Sequence, residues 1–375
     1  MNILYVANKS DVFGGGEVSL LNLVDNLDRS RFTPFVVCPG EGALADAFKA
    51  MGLQPVIIPL PTLRRCNPLR WVTTIHRFIR FIRYCRIDCI HSNGSRAALY
   101  SGMSAQLMHI PFLAHFRVEL TDGLIDRLIA LMATRVLVVS RGAARRFAWL
   151  PDQKKNIIYN GVNTSLFTLG RDNRIFRETF SIKEEQTVIG YVGRLSPEKG
   201  LEVLLDAMAE IAADRNDISL VIVGKGPMDY TGRLHLRASR NSLDDRVFFA
   251  GYHQNLQEVY PSFDLLCLPS FTEAFNRSII EAMSCGLPVI ATGVGGNDEA
   301  VADGESGYIV PPGDPVALAG AIRKLTDDPA LMSTMGTTGR NIVLQRFSIE
   351  NNVRATQQVY ESVVVKRKRK TADIP

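Results

Sequence analysis

Glu273 and Glu281 are two carboxylates with seven residues between them, in the stretch SFTEAFNRSIIEAMSCGLPVIAT from Ser270 to Thr292. Paired carboxylates can share one active site or decorate an ordinary helix. Eight steps at about 100° each leave them roughly 80° apart around a helix, so they are not a helical i, i+4 pair. Ile279, Ile280 and Met283 predict a helix over 278–284, closed by Gly286 as a left-handed cap and stopped by Pro288. Glu281 then falls on the helix and Glu273 in the loop before it. The amides of Ala274, Phe275 and Asn276, with Arg277, would face out of the helix N-terminus, where unpaired N–H groups and the dipole favour an anion. A glutamate on either side of that point would bracket a molecule with a phosphate centre and hydroxyl-rich ends. A nucleoside diphosphate sugar has that shape, with Glu281 accepting from ribose hydroxyls and Glu273 from sugar hydroxyls. A strand, loop and helix carrying two solvated acids has the same spacing, and the spacing alone leaves both readings open.

Other residues could serve the same chemistry. Arg194 and Lys199 of GRLSPEKG follow an apolar run. Two fixed cations there would stabilise the negative charge that grows on a departing diphosphate, or they are plain surface charges. Gly14, Gly15 and Gly16 follow the first apolar run and precede the amphipathic stretch 18–27. Such a loop lets backbone approach a phosphate or a sugar closely, or is a tight turn. It lacks the third glycine of a dinucleotide fingerprint, which argues against a dehydrogenase. His115 ends a strand-like run in FLAHFRVEL, with Arg117 two residues on; a structural role fits this histidine as well as a catalytic one. No His/Cys cluster has metal-ligand spacing, so no metal site and no cofactor is expected.

These residues need elements to position them. Short runs, apolar on both faces and bounded by turn residues, predict buried parallel strands at 3–7, 35–38, 56–59, 89–92, 112–115 and 136–140. The pattern restarts at 188–192, 220–223, 247–249, 265–268, 289–291 and 308–310. A more polar stretch, 163–185, separates the two sets. The expected fold class is α/β, two facing doubly wound Rossmann-like domains with an interdomain cleft, and ligands at the carboxyl ends of the strands. The expected division is an N-terminal domain 1–165, a C-terminal domain 166–347, a helix 348–365 returning to the first domain, and a disordered basic tail 366–375.

Length and composition agree with a large two-domain core. The chain has 375 residues, 46% hydrophobic and 22% charged, with a net charge of +5. Six cysteines without a CxxC pair point to a reduced, cytoplasmic protein. The N-terminus does not read as a signal peptide, and no run is long enough to span a membrane. Membrane contact would have to be peripheral. The segment LRWVTTIHRFIRFIRYCRID predicts a helix over 68–86, with Trp71, Ile75, Phe78, Ile79 and Ile82 as an apolar stripe. Arg70, Arg77, Arg80 and Arg83, with Arg64 and Arg65 before them, make the remainder basic. Such a helix can lie on an anionic membrane surface, aided by the KRKRK run at 366–370, or pack its stripe on the sheet and leave its arginines in water. No nucleic-acid recognition motif accompanies these charges.

Taken together and in order, several stretches resemble the retaining GT-B glycosyltransferases of family four. They are FGGGEVSLLNLVDNL, VLVVSRGAARRF, NIIYNGVNTSLF, IGYVGRLSPEKGLEVLLDAM, LVIVGKGP, VYPSFDLLCLPS and EAMSCGLPVIATGVGGNDEAVADGESGYIVPPGDP. The resemblance covers nearly the whole chain. It implies transfer from a nucleotide sugar, UDP- or GDP-linked, to the hydroxyl of a glycan or lipid-linked acceptor, with retained configuration and no metal. The second domain would bind the donor and the first the acceptor. Carried over by position, Arg194 and Lys199 hold the diphosphate, Glu281 the ribose, and Glu273 the sugar. His115 faces the donor sugar, Arg117 is a secondary candidate, and Asn160 lines the cleft. Two departures, Ala274 and Asn276 where the family often has glycine or proline, leave the sugar unnamed. A sugar-nucleotide epimerase and a non-catalytic scaffold are the competing readings.

Overall fold

The computed structural model describes residues 1–12, 14–62, 68–117, 123–170 and 175–372, with the backbone alone at 175 and 366–372. Arg64 and Arg65 lie outside the described residues. The chain divides into two compact units, Met1–Gly161 with Ile349–Pro375, and Val162–Ser348.

The first unit is built on a seven-stranded parallel sheet. Its strands are β1 (Asn2–Val6), β2 (Thr33–Cys38), β3 (Val56–Ile57), β4 (Cys89–Asn93), β5 (Phe112–Phe116), β6 (Arg135–Val138) and β7 (Lys155–Ile157), in the order β3-β2-β1-β4-β5-β6-β7. Strands lying between two layers of helices are buried on both faces, and all five residues of β4 and of β5 are buried, the polar His91, Ser92, Asn93 and His115 among them. The second unit holds β8 (Thr187–Val192), β9 (Ile218–Val223), β10 (Val247–Gly251), β11 (Leu265–Leu268), β12 (Val289–Thr292) and β13 (Gly307–Val310). These are parallel and ordered β10-β9-β8-β11-β12-β13. The expected α/β class with two doubly wound sheets is therefore what the chain adopts.

Three local expectations need correction. The basic helix ends at Tyr84, not at 86, because Arg86 adopts a left-handed φ of 49° and the Ile87 amide turns back to the Ile82 carbonyl at 3.0 Å. Its stripe is narrower than predicted: Thr74, Ile75, Phe78 and Ile82 are buried, whereas Trp71 and Ile79 are half-buried and Arg70, Arg77, Arg80 and Arg83 are exposed. The last helix runs from Ile349 to Ala372, so the backbone of 366–372 is helical where disorder was expected. Lys and Arg are good helix formers, and a helix already anchored upstream extends one residue at a time without a new nucleus.

That last helix completes the first unit's core. Ile349, Val353, Val359, Tyr360, Val363 and Val364 pack with Ile3, Tyr5, Leu20 and Phe32 in one apolar cluster. Among the described residues, no helix is long and apolar enough to cross a membrane.

Candidate functional site

Each sheet reverses its strand order once, between β1 and β4 in the first unit and between β8 and β11 in the second. Ligands of open parallel sheets bind at the carboxyl ends of strands beside such a reversal. In the second unit, Arg194 and Lys199 follow β8, and Glu273 follows β11. The two loops are joined by the Phe271 amide donating to the Glu198 carbonyl at 2.9 Å. They approach so closely that a Cβ on Gly200, whose φ is +67°, would lie 2.0 Å from the Pro269 carbonyl oxygen.

This approach brings Lys199 Nζ within 2.6 Å of Glu273 Oε1, with side chains only 17% and 10% exposed. Ser270 Oγ donates to the same oxygen at 2.9 Å and Asn276 Nδ2 at 2.8 Å. The residue expected on the diphosphate and the residue expected on the sugar are thus direct partners. Arg194 stands apart: it donates to Glu198 Oε1 at 2.7 Å, and its side chain stays 64% exposed.

The helix after this loop spans Arg277–Ser284, one residue longer at its start than predicted. Asn276 caps it, its Oδ1 accepting from the Ser278 amide at 2.9 Å. Asn276 therefore serves the helix with one atom and Glu273 with another. Ala274 and Phe275 are buried in the loop ahead of the cap, and Phe275 packs on Phe347 with centroids 5.3 Å apart. Their amides belong to that loop, ahead of the first helical turn.

Glu281 is 4% exposed, so it is not a solvated acid. Its Oε1 accepts from Arg277 Nη2 at 2.8 Å and its Oε2 from Tyr260 Oη at 2.9 Å. Burial, with the Glu281 charge adding, pushes the Tyr260 phenol well above its usual range, so it remains a donor. Each carboxylate oxygen keeps a second lone pair.

In the first unit, Gly15 and Gly16 open the helix Gly15–Asp25, and Gly14 is its extended N-cap. None of the three has a positive φ, so they form a helix start and not the loop predicted. Arg117 is the hub. Its Nε donates to Asn93 Oδ1 at 2.7 Å, its Nη1 to Asn160 Oδ1 at 2.7 Å, and its Nη2 lies 3.2 Å from His115 Nδ1. Asn93 Nδ2 donates to the Gly16 carbonyl at 3.2 Å, and Ser19 Oγ to Asn160 Oδ1 at 3.1 Å. The structure thus gathers Gly16, His115, Arg117 and Asn160 at the carboxyl ends of β4 and β5.

His115 is 1% exposed, and its protonation follows from its neighbours. A guanidinium only donates, so His115 Nδ1 accepts from Arg117. His91 Nε2, 3.0 Å from the same atom, must also be a donor. His91 Nδ1 then accepts from Tyr360 Oη at 2.6 Å, and Tyr360 Oη lies 3.1 Å from Tyr5 Oη. The proton of His115 therefore sits on Nε2, a buried atom without a partner among the described residues. That N–H is a fixed donor for an oxygen acceptor.

Sequence reasoning missed His91, Asn93, Tyr360, Ser270 and Tyr260, and the side-chain role of Arg277. Asn93 ends β4 directly before Gly94, a strand-to-turn position of the kind that singled out His115. Ser270 and Arg277 meet partners three and four residues away, whereas His91, Tyr360 and Tyr260 carry no local signal because their partners are distant in the chain.

Comparison with known proteins follows the two units. The glycosyl transferases group 1 family model matches residues 172–342, and the glycosyltransferase family 4 model matches residues 13–166. The chain is 30% identical over 246 residues to the lipopolysaccharide core biosynthesis mannosyltransferase of Rhizobium meliloti, covering 64% of this chain and 68% of that protein. It is 31% identical over 286 residues to an uncharacterized glycosyltransferase of Methanocaldococcus jannaschii, covering 73% and 68%. In fold it is similar to Anabaena HepE, solved in complex with UDP, with a TM-score of 0.86, 24% identity, and 96% of this chain and 100% of that chain covered.

Proposed function

Because the chain belongs to the GT-B glycosyltransferases of the family 4 type, we propose that it transfers a sugar from a nucleoside diphosphate sugar to an acceptor hydroxyl, retaining the anomeric configuration without a metal. The observation that carries this reading is the Lys199–Glu273 pair at the carboxyl ends of β8 and β11. A diphosphate leaving group needs positive charge as it departs, and the sugar ring becomes electron-poor as it does so. A mostly buried ammonium beside a carboxylate meets both demands at one point. Lys199 would shift from Glu273 to the diphosphate when donor binds, with Arg194 as the second cation.

The Glu273 carboxylate would orient the sugar and stabilise its developing positive charge. Three donors on Oε1 hold its electrons and make it a poor nucleophile. Retention then proceeds by attack of the acceptor hydroxyl on the face the diphosphate leaves, with a diphosphate oxygen taking the proton. Glu281, anchored by Arg277 and Tyr260, would offer its remaining lone pairs to the ribose, and His115 Nε2–H would donate to a sugar oxygen.

The name of the Rhizobium relative, a lipopolysaccharide core mannosyltransferase, favours a glycan or lipid-linked acceptor in an envelope polymer. The uridine nucleotides bound to HepE favour a UDP-sugar over a GDP-sugar. Working on such an acceptor at the cytoplasmic face of a membrane fits the exposed arginines of the helix Pro68–Tyr84 and its exposed Leu69 and Val72. Flotation with phosphatidylglycerol vesicles at low salt tests that association, and absence of binding removes it.

The deciding experiment is thermal unfolding with UDP, GDP, dTDP, ADP and CMP in EDTA. Ligand at about 100 times its Kd adds roughly 2.7 kcal/mol. One nucleotide should stabilise the wild type, and Glu281→Gln should lose much of that shift. Glu273→Gln should keep it, because it frees Lys199 for the diphosphate, while turnover falls steeply. No shift with any nucleotide would sink the reading.

A further inference from the structure

An open cavity lies within the first unit, at the carboxyl ends of β1, β2 and β3. It has a volume of about 540 Å³ and is lined by Lys9, Ser10, Asp11, Arg70, Arg96 and a prolyl wall of Pro39, Pro59 and Pro61. Three cations face one carboxylate, and none of the three forms an ion pair among the described residues. Arg96 donates from Nη2 to the Asn8 carbonyl at 2.9 Å, while its Nε is buried without a partner. Leaving a charged donor unsatisfied is costly. Arg70 sits in the first turn of the helix Pro68–Tyr84, which has no acidic residue there; a cation at the positive end of a helix is unfavourable unless an anion lies between them.

We propose that this cavity binds a phosphate group of the acceptor, held by Lys9, Arg70 and Arg96. The proposal rests on the transferase reading and narrows its acceptor to a phosphorylated one. A phosphate offers three oxygens, enough for the Lys9 ammonium and the Arg70 and Arg96 guanidinium groups together. The Ser10 hydroxyl adds a fourth donor. The prolyl wall supplies no backbone N–H and a flat apolar side, so the cavity selects one anionic group over an extended polar chain.

The test uses the full chain at fixed ionic strength with UDP at saturation, so that the donor diphosphate site is filled. Inorganic phosphate is titrated in and binding read by calorimetry, for wild type and for Lys9→Gln/Arg70→Gln. Both positions are exposed, so the fold is not at stake. Wild type should bind one phosphate with UDP still in place, and the double variant should bind it about a hundredfold more weakly, roughly tenfold per cation removed. Absence of a phosphate site in wild type, or equal binding by the variant, overturns the proposal. So does flotation on phosphatidylglycerol vesicles that free phosphate displaces and the variant loses, since the cavity would then belong to the bilayer. Failure of UDP itself to bind would remove the transferase reading, and the phosphate titration, run then without nucleotide, would still report on the cavity.

Discussion

The histidine pair shows how buried residues acquire a fixed role. His91 and His115 are 0% and 1% exposed, and burial decides their charge. It pushes His91 down to about 3, with the Arg117 charge adding, and pushes His115 well below its usual value, with Arg117 and His91 adding. Both are neutral in the folded chain near neutral pH, while the unfolded chain takes up protons below about 6.5. Their contribution to stability is therefore complete above about 6.5 and is lost as pH falls from there toward the folded values, at up to about 1.4 kcal/mol per pH unit for each. Between pH 7.5 and 5.5 the wild type should lose about 2.5 kcal/mol more than His91→Gln/His115→Gln. Urea unfolding at the two pH values measures this, and parallel losses would show that the pair is not held neutral. Of this network, the sequence displayed His115, Arg117 and Asn160 through position and resemblance. It could not display Tyr360, whose hydroxyl meets His91 across 269 residues of chain, because a valine-rich helix face reads only as core.

At the scale of elements, strands were legible where a run buried on both faces is mostly apolar, as in β9, Ile218–Val223, and less fully in β4, whose last three residues are buried but polar. β7, Lys155–Ile157, was not legible: it is an edge strand paired only with β6 and half-buried to exposed, so its side chains look like a loop's. Helix ends were legible where glycine or proline marks them, as at Gly286, and illegible at Arg86, where an arginine takes the left-handed turn. Gly200 is where an element boundary becomes functional. It is at once the left-handed N-cap of the helix Leu201–Ala212 and the point where two loops touch. In Gly200→Ala the new methyl must push the β8 loop from the β11 loop, opening the Lys199–Glu273 contact. The strained φ costs about 1 kcal/mol and the overlap about 1–3 kcal/mol more. At about 2–4 °C per kcal/mol, the melting temperature of the second unit should fall by roughly 4–16 °C. Nucleotide stabilisation should shrink with it. A variant that melts and binds like wild type would mean that the loops are not held by this contact.

At the scale of the molecule, the chain leaves its first unit at Gly161, builds the second as one continuous segment to Ser348, and returns with the helix from Ile349. The second unit therefore owns every strand of its sheet, whereas the first depends on residues almost two hundred positions away from its last strand. That helix contributes six buried apolar side chains to the cluster around Ile3, Tyr5 and Leu20. At about 1.5–3 kcal/mol for each fully buried side chain, their loss costs roughly 9–18 kcal/mol, which matches or exceeds the about 5–15 kcal/mol by which a typical domain is stable. A chain ending at Ser348 should then lose the calorimetric transition and the protease resistance of residues 1–161. A fragment of 162–348 should keep its own transition, because nothing in its sheet is missing. Nucleotide binding is the sharper readout of the same argument. If Lys199, Glu273 and Glu281 form the donor site from the second unit's own residues, the fragment should still be stabilised by the nucleotide that stabilises the whole chain. A fragment that folds but binds no nucleotide would place part of donor recognition in the first unit.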